Sequence, residues 1–105
     1  MVYRVISSAD AERDLRRAAA YIRRDSPAAA RKWLAQIRAQ IQTLTRQPER
    51  CPISLHAEAL RGPIRELQFG RGNRGTYRVL FGIVDDFVIV FHVRHGSMLP
   101  MTPEE

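Results

Sequence analysis

The chain has 105 residues, 45% hydrophobic and 27% charged, which suits one domain with one modest core and excludes a disordered polymer. No apolar run nears the roughly 20 residues that span a bilayer, Met1-Val2-Tyr3-Arg4 shows no basic-then-apolar leader, and the single cysteine, Cys51, excludes an internal disulfide, so a cytoplasmic protein with no membrane partner is predicted. The formal net charge is +6 and every basic residue except Lys32 is arginine, whose permanently charged planar fork suits phosphate, so a polyanionic partner is expected.

In chain order, residues 2–7 ("VYRVIS") are β-branched and aromatic and predict a first strand. Ser8 follows as a helix cap, with Asp10 and Glu12 in the first turn, where acidic side chains suit the positive end of the helix dipole. Ala11, Leu15, Ala18 and Ile22 repeat at helical spacing as one apolar stripe. Asp25-Ser26-Pro27 stops that helix and starts another, with Ser26 as cap and Pro27 in the first turn. Ala30, Leu34, Ile37, Ile41 and Leu44 form the second stripe, and Pro48 closes it. So short a connection makes the pair an antiparallel helical hairpin.

Residues 49–60 read as irregular. "IRELQF" (64–69) alternates as a strand and places Arg65 on the face of Leu67 and Phe69. After a Gly- and Arg-rich loop come two apolar strands joined at Asp85-Asp86, and a Pro-containing tail from 97 to 105 is expected to be flexible. The expected fold is therefore α+β, a single domain over 1–96 in the order β-α-α-β-β-β, with an antiparallel twisted sheet packed on a helical hairpin.

"GRGNRG" (70–75) matches the letters of a dinucleotide fingerprint, but a strand follows it and not the helix on which a pyrophosphate would sit, so no nucleotide cofactor is expected. His92 and His95 are three apart and point to opposite faces of a strand. No Cys or His pair has zinc spacing, so neither a metal nor any other cofactor is predicted.

A two-residue turn at Asp85-Asp86 would set Val84 opposite Phe87, Leu80 opposite Phe91 and Arg78 opposite Val93. Arg78 and His95 then become diagonal neighbours on one face, roughly 7–8 Å apart at the backbone. Arginine and histidine so placed, with Glu58 near, can cleave RNA without a metal. A base takes the ribose 2′-hydroxyl proton, the oxyanion attacks phosphorus, arginine neutralises the phosphoryl oxygens, and an acid protonates the departing 5′-oxygen. The competing reading is that Arg78 pairs with an acid to close the sheet edge while His95 is a surface residue.

The stretches "YIRRDSPAAARKWLAQIRAQIQTLTRQPE", "IREL", "YRVLFGIVDDFVIVFHV" and "RHG", in this order and spacing, resemble the RelE/ParE superfamily of toxins from bacterial type II toxin–antitoxin modules. The resemblance implies a plasmid-stabilisation or addiction role, a cognate antitoxin and a toxin–antitoxin hetero-oligomer. "AEALRG" (57–62) is similar to the YoeB-like segment that supplies a catalytic glutamate, here Glu58. "TYRVLF" puts Arg78 where that branch keeps a phosphate-binding arginine, and His95 falls at its C-terminal catalytic histidine, although Gly96 follows where that branch has an aromatic. The first expectation is a ribosome-associated mRNA endonuclease with Glu58 as base, Arg65 and Arg78 as phosphate clamps, His95 as acid, and Arg61, Arg71 and Arg74 on the nucleic acid. "SPAAA" and "HGSM" (95–98) are instead similar to ParE-like chains, which are not nucleases and poison DNA gyrase. A toxin-fold binding module without toxicity is the third expectation.

Overall fold

The computed structural model describes residues 1–54, 62–70 and 75–96. Its elements are β1 (Arg4–Ser7), α1 (Ala9–Arg23), α2 (Pro27–Gln42), two 3-10 turns (Thr43–Thr45 and Pro48–Arg50), β2 (Arg65–Phe69), β3 (Tyr77–Val84) and β4 (Phe87–His95). Both helices start where the caps predict: Ser8 Oγ accepts from the Ala11 N–H and Ser26 Oγ from the Ala29 N–H, and Pro27 opens α2. Arg38 of α2 grips Glu12 of α1 through two hydrogen bonds of 3.0 and 3.1 Å, which ties the hairpin together across its outer surface. That guanidinium holds the Glu12 carboxyl below its ordinary range.

The strands form one sheet in the order β1-β4-β3-β2. β2, β3 and β4 are an antiparallel meander as expected, but β1 lies parallel to β4, so the sheet is mixed. The β3–β4 hairpin leaves one edge of β4 open, and β1 occupies it before the helices carry the chain across the sheet to the other edge. A bridge between Ile53 and Arg65 extends β2 outward.

The helices cover one face. Leu15, Ile37, Leu44, Val79, Phe81, Val88 and Val90 are fully buried between helix and sheet. Trp33, one position before Leu34 of the stripe, is buried more fully, its ring reaching Phe69 and Tyr77, while Leu34 packs partly buried against the same core. On the opposite face Leu80 and Ile64 are buried separately, beside Gly82 and Phe91.

The hairpin turns at Asp85-Asp86, with Val84 opposite Phe87; Asp85 takes the left-handed φ of 54°, which Asp tolerates. The predicted register holds as far as Phe81–Val90 and then slips by one residue. Leu80 faces His92 and not Phe91, and Arg78 faces Arg94 and not Val93. The extra residue is Phe91. Its ring fills the space left bare at Gly82, where a Cβ would come within 3.0 Å of Phe91 Cε2. Ser8 secures the bulge from the other side, donating through Oγ to the Phe91 carbonyl and through its N–H to the Val90 carbonyl.

One hydroxyl thus both starts α1 and fixes the strand register. Ser8→Ala is expected to lose about 1–2 kcal/mol, near the top of the range for a helix cap, because the Phe91 carbonyl loses its donor as well. Urea unfolding should show this against Ser26→Ala, whose hydroxyl caps α2 alone and should cost less.

Candidate functional site

Arg78 and His95, predicted to be neighbours on one face, lie on opposite faces. The slip at Phe91 pairs Tyr77 with His95 and Arg78 with Arg94, and adjacent residues of a strand point to opposite sides.

Arg78 projects from the face away from the helices. Its Nε lies 3.7 Å from Glu66 Oε1 and makes no hydrogen bond among the described residues. Glu66 is itself buried, accepting from Ser54 Oγ at 2.9 Å and from Gln68 Nε2 at 3.1 Å. This is the acid pairing that the competing reading of Arg78 required. A glutamate at a position alternating with Leu67 was the available signal, but its partner depends on strand register.

His95 turns to the helix side. Its ring meets Tyr77 edge-on at 5.0 Å, Tyr77 meets Trp33 at 5.0 Å, and Trp33 meets Phe69 at 6.2 Å. The run of rings links α2 to the end of β4. Gly75, with φ 73°, lets the chain pass close to the imidazole: a Cβ there would sit 2.9 Å from His95 Nε2. Beside it opens a cleft of about 380 Å³ lined by Ala29, Lys32, Trp33, Gln36, Phe69 and the glycines at 70 and 75. Lys32, the single lysine of the chain, lines this cleft from α2.

Arg65 does share the face of Leu67 and Phe69, as predicted, but its Nη1 donates to the carbonyls of Cys51 (2.6 Å) and Glu49 (3.1 Å). It binds the turn after α2 to β2. Arg65 pairs with Phe81 and Phe69 pairs with Tyr77, so Arg65 is about 13 Å along the strand from the rung beside His95. Glu58, Arg61, Arg71 and Arg74 lie outside the described residues.

A second pairing was not foreseen. β4 runs on past the end of β1, and there Asp14 of α1 accepts from the Val93 N–H at 2.9 Å and approaches His92 Nδ1 at 3.2 Å. The carboxylate closes the sheet edge that β1 no longer covers.

In-line RNA cleavage needs base, acid and phosphate clamp within hydrogen-bond reach of one phosphate. Of the residues named for that chemistry, Arg65 holds backbone carbonyls, Arg78 pairs with a buried carboxylate, and His95 points to the other face. Among the described residues no three His, Cys, Asp or Glu side chains gather as a metal site, and no helix is long and apolar enough to cross a membrane.

The sequence matches a family model described as ParE toxin of type II toxin–antitoxin system, parDE, over residues 5–100. No curated protein matches the chain. Among solved structures, one titled as the chromosomal ParDE toxin–antitoxin system from P. aeruginosa superposes with a TM-score of 0.68 at 17% identity, covering 90% of this chain and 96% of that one. At that identity the likeness establishes a shared fold.

Proposed function

The chain belongs to the ParE toxin family of type II toxin–antitoxin systems, and from that membership we propose that it arrests growth in the cytoplasm by binding DNA gyrase, without cutting RNA. The observation that supports this reading is the one-residue slip at Phe91, which turns Arg78 and His95 to opposite faces of the sheet. The salt bridge to Glu66 supports it further, since it gives Arg78 a structural task. A protein partner that masks the toxin follows from the same membership: a cognate antitoxin that assembles with it as a hetero-oligomer.

A supercoiling assay with purified gyrase tests the target. The full chain is expected to inhibit supercoiling, to lose that effect when antitoxin is added, and to leave messenger RNA intact in a translating extract. His95→Ala should inhibit gyrase within about twofold of the parent, since inhibition by binding involves no proton transfer and the imidazole packs edge-on against Tyr77. New RNA 5′ ends that require translating ribosomes and vanish in His95→Ala would overturn the proposal. They would restore the nuclease reading, with Glu58 as base, Arg65 and Arg78 on phosphate, and Arg61, Arg71 and Arg74 along the RNA.

A further inference from the structure

The outer face of α1 is arginine with almost nothing to neutralise it. Ala11, Leu15 and Ile22 set the buried side of the helix, and Arg13, Ala20 and the cap residue Arg24 lie opposite, with Arg16, Arg17 and Arg23 flanking them. All are exposed at the surface. The acids of α1 are already committed: Asp10 to Arg13, Glu12 to Arg38, and Asp14 to the edge of β4. Arg16, Arg17, Arg23 and Arg24 form no ion pair among the described residues, although Arg16 adds to the field that holds Glu12 low.

We propose that this face of α1 docks on the phosphate backbone of duplex DNA, without reading sequence. The four arginines cover about 12 Å of helix axis, the axial rise of three to four phosphates on one DNA strand. Between them lies the methyl group of Ala20, which lets the helix approach closely. The face carries no Asn or Gln amide of the kind that reads adenine. A single-stranded target would need aromatic platforms. The exposed aromatic here, Tyr21, stands to one side with the Arg24 guanidinium 5.7 Å over its ring. The surface is thus matched to charge alone, and the inference stands whether or not gyrase is the target.

Fluorescence anisotropy with a labelled random-sequence duplex, titrated with the full chain from 50 to 300 mM NaCl, tests it. The slope of log K against log [NaCl] is expected near −4, at about −0.9 per phosphate contact. The variant Arg16→Gln/Arg17→Gln/Arg23→Gln/Arg24→Gln should flatten that slope by roughly 3–4 and weaken binding at 100 mM NaCl on the order of 100-fold or more. Its melting temperature should fall by only a few degrees, because the replaced side chains are exposed and Gln is a good helix former, and what is lost is the charge at the helix end and the Arg24 contact with Tyr21. The matching Arg→Lys variant should keep the slope. A Gln variant that binds like the parent, or a parent chain that ignores duplex DNA even at 50 mM NaCl, overturns the proposal; the second result would leave an acidic protein surface as the partner of this face.

Discussion

Glu66→Ala is expected to destabilise the fold by about 3 kcal/mol, because removing one partner of a buried ion pair leaves the other charge uncompensated. The Glu66 and Arg78 side chains are 9% and 20% exposed, so little water reaches Arg78 once the carboxylate is gone. Ser54 and Gln68 lose their acceptor in the same step. In a domain of this size the change should lower the melting temperature by roughly 10–20 °C. A shift of only a few degrees would mean that the pair is solvated and that Arg78 is available for another role. The double variant Glu66→Leu/Arg78→Leu separates structure from function, since well-packed apolar residues often replace a buried pair at no cost. If it recovers the melting temperature and still arrests growth, Arg78 serves the fold. If it is folded and harmless, Arg78 acts on the target and the gyrase reading needs revision around it.

Phe81→Ala should be at least as costly, about 3–5 kcal/mol, the usual range for removing a fully buried ring. Phe81 is 0% exposed, sits opposite both Arg65 and Val90, and is the last residue of β3 before the register slips. The cavity would open under the helices at the point where the bulge begins, so both packing and register weaken together. Domains of this kind have about 5–15 kcal/mol in all, and the variant should be partly unfolded at 37 °C and lose toxicity for that reason. Trp33 is the single tryptophan and is buried against Tyr77 and Phe69, so its fluorescence reports unfolding directly. Val84→Ala, at a half-exposed position of the same strand, provides the comparison and should stay within about 0.5 kcal/mol of the parent. Equal effects at both positions would contradict the burial on which the estimate rests.

Much of the fold is legible in local chemistry. Ser8, Ser26 and Pro27 announce the helix starts, the apolar stripes name most of the buried helix positions, and the Asp85-Asp86 turn is placed correctly. Trp33 shows the limit of a stripe: two adjacent apolar residues both satisfy the helical period and both pack on the core, and only the opposing sheet makes Trp33 the more buried of the two. The candidate site was less legible. Arg65 shows its face in the alternation of β2, but not that its guanidinium would bind the carbonyls of Glu49 and Cys51.

Residue types and their spacing alone determined the class of the protein: a small basic α+β domain, its helix caps, its hairpin turn, and a surface where arginine prevails. Tertiary structure decided which of those residues meet. Gly82 left a space that Phe91 fills, Ser8 held the Phe91 and Val90 carbonyls, and the strand slipped by one. Side chains alternate with a period of two, so a one-residue slip reverses the face of everything beyond it. Ser8, which secures the slip, stands 83 residues before Phe91. For that reason no local pattern could place His95 beside Tyr77 and leave Arg78 to Glu66.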